Sequence, residues 1–174
     1  GMILHNCVPT HKTQYYEFTS RLNNRAYCIK IALPLTPPPE EGYRVFYVLD
    51  GNAYFLSAME ALRLNTLDNS VIVVGIGYPE TLNFSEAIIS KEVFPENIDP
   101  LFKSTAAISV SRLYDLTLPI DAQMAANFVF DLLPSPQPEQ FGGLDQFLEV
   151  IETEIKPEIQ NKFPINTKDQ TLFG

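Results

Sequence analysis

The residues best suited to chemistry are Asp50, Gly51 and Asn52, which follow an uninterrupted apolar run of Val45, Phe46, Tyr47, Val48 and Leu49. Asp and Asn side chains cap orphan backbone donors where a helix starts, and Gly tolerates positive φ, so the triplet reads as a tight turn opening a helix. Such a helix start gathers backbone N–H groups at the positive end of the helix dipole, which is an anion-binding arrangement. Asp50 and Asn52 also read simply as caps of that helix. The two readings are compatible.

Other groups carry weaker signals. Gly75-Ile76-Gly77 after an apolar run has the start of a dinucleotide-binding turn, but Glu80 stands where the third Gly belongs and Pro79 interrupts, so Gly77 reads as a residue that lets the chain turn. Asp145, Glu149, Glu152, Glu154 and Glu158 recur along one segment, and a solvated helix face explains them better than a cation site. Cys7 and Cys28 make neither a disulfide framework nor a metal site, and both read as reduced thiols. His5 and His11 precede the first strand pattern and read as surface residues. Neither a metal nor a cofactor is expected.

The elements that must position Asp50-Gly51-Asn52 follow from periodicity. Five consecutive apolar residues ending in a turn read as a strand buried on both faces of a parallel sheet. Beyond Asn52, Tyr54, Phe55, Ala58, Met59, Leu62 and Leu64 fall mostly at i, i+3, i+4 spacing, an amphipathic helix that residues 65–70 end. Val71-Ile72-Val73-Val74-Gly75-Ile76-Gly77 reads as a second buried strand, and strand–helix–strand implies a right-handed crossover with parallel strands. The triplet therefore sits at the carboxyl end of a central strand, where open α/β sheets bind ligands.

Upstream, residues 14–20 and 25–33 read as an antiparallel opening pair with Asn23-Asn24 as the turn, and the prolines at 34 and 37–39 make an extended connection. Residues 78–121 show only short helical pieces, and a connection that long is more often functional or lid-like than filler. Residues 122–133 suggest a short helix, and Pro134, Pro136, Pro138 and Gly142-Gly143 are breakers. Leu144, Phe147, Leu148, Ile151, Ile155 and Ile159 then form the apolar stripe of a long helix. Residues 170–173 read as the start of another buried strand.

Length and composition bound the whole. The 174 residues suit one domain, spanning 1–174, and such a chain buries roughly 70% of its unfolded surface. Apolar residues make up 45% and charged residues 19%, and the longest apolar runs fall far short of the ~18 residues of a membrane span. Twelve Lys plus Arg against 21 Asp plus Glu give a net charge of -9, which argues against nucleic acid or an anionic membrane as partner. Gly1-Met2 reads as a tag remnant before an initiator, with no leader-like segment after it, so a cytoplasmic location is expected.

Five stretches in consistent order carry a resemblance: Arg25-Ala-Tyr27-Cys-Ile-Lys-Ile-Ala-Leu33-Pro34, Val48-Leu49-Asp50-Gly51-Asn52, Val74-Gly75-Ile76-Gly77-Tyr78-Pro79, Arg112-Leu-Tyr-Asp115-Leu-Thr117, and Gly142-Gly143 before the long helix. From about residue 14 to the C-terminus the chain resembles the putative-esterase branch of the α/β-hydrolases, which includes esterase D and the enterochelin esterases. The resemblance implies the N-terminal part of an α/β-hydrolase sheet, with antiparallel opening strands and then parallel strands with crossover helices. It also implies serine carboxylic-ester hydrolysis. By the same resemblance the backbone N–H of Asn52, beside Gly51, is one oxyanion donor, of a kind worth about 3 to 4 kcal/mol. Arg112 and Asp115, with Asp50, are then substrate-binding candidates near the cleft; a local ion pair bracing a loop is the competing reading of Arg112 and Asp115.

The departure from the family lies at Thr171-Leu172-Phe173-Gly174, whose counterpart runs straight into a G-x-S-x-G nucleophile elbow. Nucleophile, acid and His are expected beyond Gly174, so the chain as written is expected to be inactive. Three functional readings follow: an N-terminal fragment of a serine esterase acting on a small-molecule ester, a catalytically dead binding or assembly module, and an unrelated doubly wound nucleotide-binding domain. The strand at 170–173 would become an exposed edge, which implies a homo-oligomer formed through the truncated side of the sheet.

Overall fold

The computed structural model describes residues 11–65, 70–80, 100–127 and 137–174. They hold a five-stranded sheet of β1 (His11–Thr19), β2 (Ala26–Pro34), β3 (Tyr43–Leu49), β4 (Val71–Gly77) and β5 (Ile165–Phe173) in the order β1-β2-β4-β3-β5, and fall into two compact units. One unit takes in residues 11–16, 29–77 and 160–174; the other takes in 17–28 and 78–159.

The first unit is built on β3 (Tyr43–Leu49), α1 (Gly51–Asn65) and β4 (Val71–Gly77). β3 and β4 pair in parallel from Arg44↔Val71 to Leu49↔Ile76, which is the crossover that strand–helix–strand demands. Every residue of β4 is buried, as expected for a β-branched run with partners on both sides and both faces. On one face Ala32 of β2 (Ala26–Pro34), Val48, Phe55 and Val73 make the core beneath α1, with Ala58 and Met59 against it. Burying a side chain the size of Phe55 or Val73 is worth about 1.5 to 3 kcal/mol.

β5 (Ile165–Phe173) pairs in parallel with β3 and lies at the end of the strand order. Between Tyr43↔Ile165 and Val45↔Gln170, Arg44 of β3 stands opposite residues 166–169 of β5. The surplus is a polar bulge in which Asn166 Oδ1 accepts from Lys168 N at 3.1 Å and Gln170 donates to Thr167 O at 3.1 Å. The reading of residues 170–173 as a buried strand needs correction on two counts. The strand begins five residues earlier, and it is mostly exposed, with Leu172 at 42% and Phe173 at 53%, because it has one strand partner instead of two. Gly42 (φ +95) swings the chain into β3; a Cβ there would lie 2.6 Å from the Ile165 carbonyl carbon.

In the second unit, residues 20–25 turn the chain from β1 (His11–Thr19) towards β2. Asn24 is left-handed (φ 57), and Asn23 Oδ1 accepts from Arg25 N at 3.1 Å. The segment expected to hold only short helical pieces contains α2 (Pro100–Asp115), 16 residues long. Its buried positions include Ala106, Ala107, Val110 and Ser111, small residues that give little apolar periodicity, and Pro100 suits a helix start because the amide it lacks has no helical partner there. A short α3 (Ala122–Ala126) follows, capped by the Asp121 carboxylate, which accepts from Met124 N at 2.8 Å.

α4 (Leu144–Val150), a π turn (Ile151–Ile155) and α5 (Lys156–Lys162) run on without a break. Pro157 explains the π turn: it cannot donate to the helical ladder and its ring displaces the preceding carbonyls, and the Lys156 N–H reaches back five residues to Ile151 O. The wider turn also keeps the stripe together. Phe147, Ile151, Ile155 and Ile159 are all buried at strict four-residue steps, which in a pure α-helix would drift by about 40° each time. Leu148, expected in the stripe, is 39% exposed. Phe147 stacks on Tyr27, which also contacts Phe18 and Tyr78 at ring separations of 5.6 to 5.8 Å.

Candidate functional site

The turn after β3 departs from the sequence expectation in which residue bends the chain. Asp50 adopts the left-handed conformation (φ 56), and Gly51 is the first residue of α1. Asp is among the few residues that accept this region at modest cost. Gly51 is required for space: a Cβ there would lie 2.8 Å from Gly75 C and 3.0 Å from Ile76 N. The helical ladder starts with Tyr54 N donating to Asp50 O at 3.0 Å, so the amides of Gly51, Asn52 and Ala53 stand ahead of it at the positive end of the helix. The geometry thus collects Asp50, Gly51 and Asn52 in one tight turn at the carboxyl end of β3. It places the backbone N–H groups of Gly51 and Asn52 in the first turn of a helix.

Gly77 also differs from the expectation that it lets the chain turn. The left-handed glycines among the described residues are Gly42 and Gly142, whereas Gly77 ends strand β4. Its missing side chain makes room for Asn52: a Cβ would collide with Asn52 Oδ1 and lie 3.0 Å from Asn52 N and 3.1 Å from Asn52 Cγ. Gly75 makes the same allowance for Phe55, whose ring carbon would lie 2.8 Å from an added Cβ. The sequence signal for both was the Gly-x-Gly spacing, which has a packing cause here.

Arg112 and Asp115 sit a turn apart at the end of α2, in the second unit, but in different surroundings. Arg112 is exposed, while Asp115 is fully buried. The Asp115 carboxylate has Arg25 Nε 3.1 Å from Oδ1 and accepts a hydrogen bond from the Tyr78 hydroxyl at 2.6 Å on Oδ2. The Arg25 contact is an ion pair out of line for a hydrogen bond, since Nε, Nη1 and Oδ1 make none. Arg25 is itself buried; it donates through Nη2 to Ser111 O at 3.1 Å and lies 4.6 Å over the Tyr114 ring. Burial raises the Asp115 pKa above the ordinary carboxylate range, against the pull of Arg25 and of the Tyr78 and Tyr27 hydroxyls. Tyr78 and Tyr27 are raised as well, first by burial and then by the Asp115 charge.

Arg25, Tyr27 and Tyr78 were not legible as partners of Asp115. Arg25 and Asp115 are far apart in sequence, and local spacing carries no trace of such a pairing. Gly142-Gly143 fastens the same region: Gly143 N donates to Tyr114 O at 2.8 Å, and a Cβ on Gly143 would collide with the Tyr114 ring.

The acidic face also has structural uses. Glu154 accepts from Ser20 Oγ at 2.5 Å and from Arg21 N at 2.8 Å, and Glu152 pairs with Lys156 one turn on. Cys28 is buried in β2, and His11 opens β1; Cys7 and His5 lie outside the described residues. Among the described residues no helix is long and apolar enough to cross a membrane.

Comparison with known proteins adds the following. No family model matches the chain. The ferri-bacillibactin esterase BesA of Bacillus subtilis is 32% identical over 168 residues, covering 93% of this chain and 48% of that protein. A siderophore enterobactin esterase of Emericella nidulans is 31% identical over 159 residues, covering 85% and 44%. Among solved structures, the BES protein of Bacillus cereus superposes with a TM-score of 0.66 at 31% identity, covering 99% of this chain and 56% of that one. The chain thus spans about half the length of the curated relatives it matches.

Proposed function

Because the chain is similar over most of its length to siderophore esterases and spans about half the length of these relatives, we propose that it is the N-terminal part of a serine carboxylic-ester hydrolase of the putative-esterase branch of the α/β-hydrolases. Its contribution to the chemistry is the backbone N–H of Asn52, one of two donors to the oxyanion that forms when an ester carbonyl is attacked. The observation that carries this reading is the turn at Asp50. A left-handed residue followed by a helix that starts on Gly51 sets the Asn52 amide in the first turn, ahead of the ladder, at the carboxyl end of a central strand.

Ester hydrolysis of this type needs a nucleophile and a base that removes its proton. The 174 residues contain no G-x-S-x-G sequence, and the other half of the fold would supply it. On this reading the 174 residues supply an oxyanion donor without a nucleophile, and no ester hydrolysis is expected of them alone. The names of its relatives point to an ester of the siderophore class as substrate of the whole enzyme. The buried Asp115 braces the second unit, and Arg112, the exposed residue of the pair, is the substrate-binding candidate that remains.

The test is hydrolysis of a p-nitrophenyl ester by the chain alone and by the chain fused to the C-terminal half of the B. subtilis relative. The chain alone should match the buffer rate, and the fusion should turn over. In the fusion Asn52→Pro, which deletes the amide donor, should cost kcat about 10²-fold or more, and Asn52→Ala far less. Equal losses for both substitutions would move the role to the Asn52 side chain and overturn the assignment.

A further inference from the structure

The Gly-x-Gly of β4 is unexplained by any turn, and its geometry points to a different task. We infer that Gly77 is a positioning residue that seats the Asn52 side chain and thereby fixes the backbone amide beside it. The inference rests on the reading of that amide as a donor only for its catalytic meaning.

Two direct approaches hold the start of α1 on β4. At Gly51 the helix backbone meets the backbone of Gly75 and Ile76, with no space for a Cβ on the helix side. At Gly77 the strand leaves out its side chain, and the Asn52 carboxamide occupies that space, its Oδ1 within collision distance of any Cβ added there and its Cγ 3.1 Å away. The first contact fixes how closely the helix approaches. The second ties the Asn52 residue, side chain and N together, to the end of β4. Gly77 has ordinary strand backbone, so its identity is set by what lies over it.

Substituting Gly77→Ala adds a Cβ against Asn52 N and Oδ1. The overpacking should lower Tm by roughly 2 to 12 °C, from about 1 to 3 kcal/mol in a chain of this size. In a ¹⁵N-labelled sample of the whole chain, the amide resonances of Gly51, Asn52 and Ala53 should move. Ile76→Val, which removes a buried methyl from the same strand, should lower Tm and leave these three amides in place. Asn52→Gly combined with Gly77→Ala should recover at least half of the lost Tm, because the carboxamide is gone. If Gly77→Ala does not fold, folding of the double variant supports the seat in its stead.

The inference is overturned if Gly77→Ala leaves the three amides unmoved, or if Asn52→Gly restores none of the stability. These readouts involve no ester. Turnover surviving Asn52→Pro would remove the donor reading and leave the seat standing, whereas unmoved amides in Gly77→Ala would remove the seat alone.

Discussion

Replacing Arg25 by Met tests whether the Arg25–Asp115–Tyr78 network is a brace held together by charge. Met keeps an apolar stem near the Tyr114 ring and removes the cation that lies 3.1 Å from Asp115 Oδ1. Breaking one partner of a buried pair costs about 3 to 5 kcal/mol, because the other charge stays desolvated. Here Asp115 is 0% exposed and accepts a neutral hydrogen bond from the Tyr78 hydroxyl. The stranded carboxylate has one escape, which is to take up a proton. With an unfolded pKa of about 3.9, that costs at most about 4.9 kcal/mol at about pH 7.5, but only about 1.5 at about pH 5.

The sign follows from the direction of the shift. Burial already raises Asp115 in the folded state, so its contribution to stability is fully present below the unfolded value and is lost as pH rises through the folded one. Removing Arg25 takes away the main lowering influence and enlarges that loss. The variant should therefore be less stable than the parent by about 3 to 5 kcal/mol at about pH 7.5, and the deficit should shrink by roughly 2 to 3 kcal/mol at about pH 5. Urea unfolding followed by circular dichroism at the two pH values measures both. Arg25→Met/Asp115→Asn should regain much of the neutral-pH loss. A deficit that is equal at both pH values, or larger in acid, would refute charge burial as the cause.

Two further predictions concern the edges of the first unit. Gly42→Ala should cost about 2 to 5 kcal/mol, since it combines a strained positive φ with a Cβ 2.6 Å from the backbone of Ile165; a denaturation midpoint within error of the parent would show that the β3–β5 junction relaxes freely. We also propose that β5, at the end of the sheet with Leu172 and Phe173 half exposed, pairs with a second copy of this chain. Sedimentation at micromolar concentration should then show a dimer or larger species that Leu172→Lys weakens, and a monomer with β5 protected from hydrogen exchange would refute it.

How much of this was legible in the sequence depends on how far apart the interacting residues lie. β3, α1 and β4 could be read because a buried strand, its turn and its crossover helix announce themselves within a window of some ten residues. The same locality marked Asp50-Gly51-Asn52 as a helix start at the carboxyl end of a strand. α2 escaped because its described buried positions are mostly small residues, Ala106, Ala107 and Ser111 with Val110, which give little apolar stripe. The π turn escaped because one Pro sets a hydrogen bond to a residue on the preceding turn.

The sequence by itself determined that an apolar strand delivers a tight turn that starts a helix, because the continuous apolar run and the capping residues are local properties of the chain. Only the tertiary structure decided which residue of that turn is left-handed and why Gly75 and Gly77 carry no side chain. It also decided that Asp115 is paired with Arg25 inside a buried network. Close approach of two backbones and desolvation of a charge arise between segments distant in sequence, and no local pattern encodes them.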